Sequence, residues 1–199
     1  MKILAFSDLH LARARAADLV AASAQADLVI AAGDFCGKRE GLDRAIAMLA
    51  GLSAPVVAVP GNGESLEELV KAAPEAWTIL HGEGTGIGGL TLFGLGYGVP
   101  VTPFGDWSCD LSEDEAAALL ARCESADVLI THSPPKGIGD RSSSGASLGS
   151  VSVRAAIERV QPQLAVCGHI HEGWGSRGRI GRTEVANLGP TVNWFQVSA

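Results

Sequence analysis

The stretch Leu164-Ala165-Val166-Cys167-Gly168-His169-Ile170-His171 sets the terms for the whole chain. Four apolar residues in a row fit a short buried strand. The run ends at Gly168, and two imidazoles follow with one residue between them. In an extended or gently turning backbone, residues two apart point to the same side. Both rings can then face one small volume, and imidazole suits zinc, iron and related divalent metals. A lone His-x-His is weak evidence, because surface and hydrogen-bonded histidines share the spacing. Its weight depends on whether other strands end at ligands too.

Four of them do. The apolar run 3–6 leads into Ser7-Asp8-Leu9-His10, and 27–32 leads into Gly33-Asp34. The run 56–59 leads into Pro60-Gly61-Asn62-Gly63-Glu64, and 127–131 leads into His132. In layered α/β folds, sites gather in the crevice beyond the carboxyl ends of strands. Four of the five histidines in the chain fall at these positions, where random placement would scatter them.

Between the strands, apolar spacing predicts helices over 13–25, 41–51, 65–73 and 152–160, and Ser112-Glu113-Asp114-Glu115 opens another as a capping box. Short strands with a hairpin near Gly88-Gly89 are expected over 78–93, and closing strands over 179–187 and 194–197. The Gly/Ser-rich segment 136–149 reads as a long functional or mobile loop.

The chain has 199 residues, so a single domain over 1–199 is the expectation. Hydrophobic residues make up 47% and charged residues 19%, which excludes disorder. The net charge of −7 argues against a broad basic nucleic-acid face or polybasic membrane binding. It does not exclude an anionic substrate, because bound divalent metals invert the local field. Cys36, Cys109, Cys123 and Cys167 show no CxxC spacing; Cys123 and Cys167 read as small core residues, and Cys36 is placed to approach Asp34. No run approaches the ~18 apolar residues of a membrane span. A cytoplasmic setting is the default expectation.

The residue types suit a metal pair. Two metals ~3.5–4 Å apart clamp the attacking and leaving oxygens of an in-line displacement. Such cations repel, so they need a bridging carboxylate. Imidazoles hold borderline metals, and neutral oxygens leave net positive charge for phosphate.

Taken in order, Asp8-x-His10, Gly33-Asp34, Gly61-Asn62, Thr131-His132 and Gly168-His169-x-His171 resemble the calcineurin-like metallophosphoesterases. The stretches 131–140 and 168–175 look closest to the small metallophosphoesterase-domain branch. The resemblance implies an α/β fold of the α+β type, a four-layer α-β-β-α sandwich of two mixed sheets flanked by helices. It assigns one divalent metal to Asp8, His10 and His171, and a second to Asn62, His132 and His169, with Asp34 bridging. Manganese leads, with iron, zinc and magnesium as alternatives. It also implies a hydroxide between the metals that attacks phosphorus in line, with Asp34, Asn62 and His132 central to catalysis.

One position departs. The family usually carries histidine after the asparagine, where it protonates the leaving group or steadies the transition state; here it is Gly63. Glu64 would normally help orient that ring. General acid catalysis is worth ~10²–10⁴-fold. Slower turnover, or a bias to esters with good leaving groups, is therefore expected, and the resemblance to small family members with a non-histidine residue here implies a phosphodiesterase. His81 is the spare histidine, though it reads as a strand-end turn. A phosphomonoesterase or protein phosphatase of the same fold, a metal-binding scaffold, and a nuclease are the competing readings. Arg13, Lys136 and Arg141 are candidate substrate contacts, with Arg15 beside them, and Phe104, Trp107 and Trp174 candidate cleft walls. The expected partner is a phosphate ester, a small molecule or nucleotide, with no stable nucleic-acid complex and no membrane.

Overall fold

The computed structural model describes residues 1–198. Its central strands are apolar on both faces, so each must be covered twice. In β1 (Lys2–Phe6), Ile3 and Ala5 point to one cluster and Leu4 and Phe6 to another. The same alternation runs through β2 (Leu28–Ala31) and β3 (Val56–Ala58). It recurs in β6 (Leu90–Leu95), β7 (Val128–Thr131) and β8 (Leu164–Cys167), where Phe93, Leu129 and Ala165 enter a third cluster.

Two sheets result. One has the order β11-β1-β2-β3-β4, with β4 at Trp77–Ile79 and β11 at Asn193–Gln196. The other has the order β5-β6-β7-β8-β10-β9, with β5 at Glu83–Ile87, β9 at Arg177–Ile180 and β10 at Thr183–Asn187. Both are mixed. Strands β1 to β4 are parallel with β11 antiparallel at the edge. Strands β6, β7, β8 and β10 are parallel, with β5 and β9 antiparallel at the edges.

The sheets face each other across the cluster of Ile3, Ile30, Val57, Leu92, Ile130 and Val166. Helices α1 (Arg13–Ser23), α2 (Leu42–Met48) and α3 (Leu66–Ala72) cover the first sheet. Helices α4 (Glu113–Leu120) and α5 (Val151–Val160) cover the second. The four layers are those the resemblance implied.

Three local readings change. Helices α1 and α2 are shorter than their apolar spacing predicts. The run 179–187 is not one strand: a turn at Gly181-Arg182 folds it into the β9–β10 hairpin. The loop 136–149 is ordered around Asp140, which is 1% exposed and accepts bonds from the N–H groups of Gly137 and Gly149 and from Ser147. Among the described residues, no helix is long and apolar enough to cross a membrane.

Ile130 is fully buried between the sheets. Its truncation to alanine removes packing that the two rigid layers cannot close over. Ile130→Ala is expected to cost about 2–5 kcal/mol, read as a lowered urea midpoint with an unchanged slope.

Candidate metal centre

The parallel strands β1, β2, β3, β7 and β8 all end on the same side of the sandwich, and the loops that follow are zipped together by backbone bonds. The N–H groups of Asp8, His10 and Leu11 donate to the carbonyls of Gly33, Asp34 and Phe35, at 2.9, 3.2 and 3.2 Å. The Gly168 N–H donates to the His132 carbonyl at 2.8 Å. The structure thereby brings all seven predicted ligand residues together.

Asp34 stands in the middle. Its Oδ2 lies 3.6 Å from His10 Nε2 and its Oδ1 lies 3.5 Å from His132 Nε2. One carboxylate thus faces a histidine from each predicted trio. Asp8, His10 and His171 form one group of close donor atoms, and Asp8, Asp34 and His132 form a second. Asn62 Oδ1 completes the floor, 3.2 Å from His132 Nε2 and 3.0 Å from His169 Nδ1.

The hydrogen positions follow from the partners. His10 Nδ1 faces the Cys36 carbonyl at 2.8 Å, and His132 Nδ1 faces the Ala32 carbonyl at 2.8 Å. A carbonyl only accepts, so these nitrogens carry the hydrogen. In the neutral rings Nε2 is then bare. Bare His10 Nε2 lies 3.2 Å from His171 Nε2. Bare His132 Nε2 faces two oxygens. The orientation of the Asn62 amide is also fixed: Ser108 Oγ donates to Asp110 Oδ1, so it accepts from Asn62 Nδ2 at 3.0 Å. Acceptors aimed at acceptors are stable only with a cation or a proton between them, and these donor types fit divalent cations.

The titration directions agree. Burial opposes a charged His132, but the facing Asp34 and Asp8 carboxylates outweigh it and raise its pKa. Burial, and then His132, hold His169 well below the ordinary imidazole value. His171 is lowered chiefly by burial. Asp34 is raised, chiefly by burial and against the pull of His132. One pocket therefore discourages charge on some ligands and invites a proton onto others, as a site shaped for external positive charge would.

Surrounding groups hold the ligands. Ser7 Oγ and Trp174 Nε1 donate to Asp8 Oδ2, at 2.5 and 3.1 Å, and the His169 N–H donates to Asp8 Oδ1 at 3.0 Å. Four of the seven residues, Asp8, His10, Asp34 and His169, have positive φ. The chain at His169–His171 is therefore sharply bent, not gently extended. Left-handed backbone in non-glycine residues costs about 1–3 kcal/mol each and clusters at functional sites. Gly61 is required by close approach, since a Cβ there would collide with the Asp34 nitrogen and carboxylate.

Glu64 differs from its expected role. It is fully buried beneath the site, and its Oε1 accepts from the N–H groups of Asp34 at 2.8 Å and Gly61 at 2.7 Å. It fixes the loops that carry Asp34 and Asn62 instead of orienting a ring at position 63. Burial and then the Asp34 charge push its pKa up to about 7. Cys36 is no ligand either. Its buried thiol donates to the Gly63 carbonyl at 3.2 Å, and burial raises its pKa.

The centre forms the floor of an open cleft of about 520 Å³ walled by Lys38, Phe104, Trp107 and Leu148. Phe104 and Trp107 stack at 5.5 Å. Trp174 instead packs on the His171 ring. The other candidates lie elsewhere. Arg13 and Arg15 are exposed on α1 and outside the cleft lining. Lys136 Nζ donates to the Ser147 carbonyl and Arg141 to the Gly145 carbonyl, so both brace their own loop. His81 accepts from the Gly96 N–H at 3.2 Å and packs on Tyr97, away from the cleft. Sequence reasoning missed Lys38, Ser7 and the work of Glu64.

Glu64→Ala leaves the buried N–H groups of Asp34, Gly61 and Cys36 without acceptors. It is expected to cost about 2–4 kcal/mol in urea unfolding and to weaken divalent-metal binding about 10–100-fold in a titration. Glu64→Gln keeps an accepting Oε1 and should lose less of both.

Comparison with known proteins supplies independent support. Residues 1–197 match the calcineurin-like phosphoesterase superfamily domain. The human metallophosphoesterase domain-containing protein 1 is 38% identical over 109 residues, which are 51% of this chain and 33% of that protein. The chain thus matches about a third of that relative's length. The crystal structure of TT1561 from Thermus thermophilus superposes with a TM-score of 0.75 at 16% identity, covering 98% of this chain and 97% of that one. A structure described as a novel archaeal phosphodiesterase superposes at 0.55 with 19% identity, covering 95% and 84%. At these identities the solved structures speak for the fold, and the family match speaks for descent. With the domain pattern running through residues 1–197, this chain belongs to the calcineurin-like phosphoesterase superfamily.

Proposed function

We propose that the protein is a metal-dependent hydrolase of phosphate esters that works with two divalent cations and prefers phosphodiesters. The observation that carries this reading is the convergence of bare imidazole nitrogens and carboxylate and amide oxygens on one floor, with Asp34 facing His10 and His132 at once. Asp8, His10 and His171 would hold one cation, Asn62, His132 and His169 the other, and Asp34 would touch both. When bound, such a pair supplies Lewis-acid charge to the phosphoryl oxygens and lowers the pKa of an attacking water.

The chain's own residues do the rest. Asp34, which faces His10 and His132, would be shared by the two cations. Asn62 contributes a neutral oxygen, so the floor stays attractive to an anionic ester. His132, pinned through Nδ1, holds its Nε2 in a fixed direction. Phe104, Trp107 and Leu148 give one side of the cleft an apolar wall.

Two features favour diesters. Phe104, Trp107 and Leu148 offer an apolar surface on which a second ester arm can lie, whereas a phosphomonoester dianion would gain little there. Gly63 provides no imidazole to protonate a poor leaving group, so activated alcohols leave best. Manganese is the leading cation, with iron, zinc and magnesium as alternatives, since imidazole prefers later metals than magnesium. The absence of a histidine at 63 also favours a second reading, a metal-binding scaffold with little turnover.

The test is hydrolysis of bis(p-nitrophenyl) phosphate against p-nitrophenyl phosphate, with elemental analysis of the same preparation. Two metals per chain, activity lost to a chelator and restored by manganese, and a faster diester rate are expected. Asp34→Asn should reduce that rate at least about 100-fold. Metal-loaded protein without turnover on either ester would favour the scaffold, and a faster monoester rate would make it a phosphatase.

A further inference from the structure

Position 63 lacks a side chain, yet the structure puts another group over the same floor. Between β2 and α2 the chain makes a tight reversal, in which Gly37 and Glu40 pair as an antiparallel bridge around Lys38 and Arg39. Both central residues have positive φ, 52° and 63°. Reversals of this kind are normally built from Asn-Gly or Gly-Gly, because side chains resist the left-handed region. Two long basic residues here are a strained choice, and such strain points to use.

The two basic residues differ in what they touch. Arg39 is tied down. Its N–H donates to the Gly63 carbonyl at 2.9 Å and its guanidinium pairs with Glu68 at 2.7 Å. Those bonds fix the turn against the Gly63 loop. Lys38 is exposed, has no hydrogen bond or ion pair among the described residues, and lines the cleft with His10, Asp34 and Asn62. It is the lysine or arginine of the cleft lining; Glu172 is the carboxylate there besides Asp34. The turn also crowds position 63: a Cβ on Gly63 would stand 3.1 Å from the Cys36 carbonyl and 3.1 Å from Asp34 Oδ1. Those neighbours would have to yield by a few tenths of an ångström to admit a side chain at 63.

We propose that Lys38 is a substrate-binding residue whose ammonium contacts a non-bridging oxygen of the phosphoryl group over the metal floor, supplying a cation where residue 63 supplies none. This rests on the phosphoester reading above. An ammonium is a compact point charge on a flexible stem, suited to an anion that enters and leaves.

The experiment uses the manganese-loaded full chain and compares wild type with Lys38→Asn, Lys38→Gly and Lys38→Arg. Asparagine and glycine accept the left-handed backbone, so they remove the charge without breaking the turn. Three quantities are read: kcat/KM for bis(p-nitrophenyl) phosphate, the Kd for inorganic phosphate by calorimetry, and metal content with the melting temperature. Lys38→Asn and Lys38→Gly are expected to lose about 10–100-fold in both kcat/KM and phosphate affinity. Metal content and melting temperature should be unchanged, and Lys38→Arg should recover most of the loss. A change below about twofold in an active protein overturns the proposal. Loss of bound metal in both neutral variants also overturns it, by making the turn structural. If wild type binds phosphate but hydrolyses neither ester, the phosphoester reading fails while the phosphate titration still decides the role of Lys38.

Discussion

His10 Nε2 and His171 Nε2 stand 3.2 Å apart with the other nitrogen of His10 committed to a carbonyl, and Asp34 aims its two oxygens at two imidazoles. With no hydrogen or cation between them, electron pairs placed in this way repel. The polypeptide must hold them there by other means, and the rest of the architecture answers that demand. Parallel strands, apolar on both faces, cannot slide freely, because a one-residue slip would exchange every side chain between two differently packed clusters. Their ends are therefore fixed points, and the ligands sit one to four residues beyond them.

Rigid strands alone would not aim the side chains. Four ligand residues use left-handed backbone, and the loops around them are held by bonds that cross long sequence distances. Glu64 grips the N–H of Asp34, thirty residues earlier in the chain, while Trp174 and Ser7 grip Asp8. Each bond satisfies a polar group that would otherwise be buried alone, so the network is costly to break at any point. The pocket also keeps a buried carboxylic acid, Glu64, close to Asp34, and a cation nearby would favour the ionised form of both.

This division explains what the amino-acid order discloses. Apolar runs ending at Asp, Asn and His disclose the strands and the candidate ligands at their ends, because burial and strand ends are local properties. The four-layer arrangement came with the family resemblance, and the three apolar clusters bear it out. The role of Glu64 was hidden, because its partners are set by how the β2 and β3 loops meet. The segment 136–149 looks flexible by composition, yet one buried carboxylate, Asp140, organises it, and the lysine and arginine in it become braces. Lys38-Arg39 carries no turn signature; the turn exists because Arg39 is anchored to Gly63 and Glu68.

The same logic bears on Gly63. A glycine at this position is easily read as a loss, but here it is closely packed: a Cβ would stand 3.1 Å from both the Cys36 carbonyl and the Asp34 carboxylate. The Cys36 carbonyl cannot retreat, because it holds His10 Nδ1 and so sets which nitrogen of His10 faces the floor. The Asp34 carboxylate cannot retreat either, because the Gly63 N–H donates to its Oδ1 at 2.7 Å. Any side chain at 63 would push on two ligands at once. The glycine is therefore part of how the floor is built, and a side chain that reaches over that floor comes from a different loop, as Lys38 does.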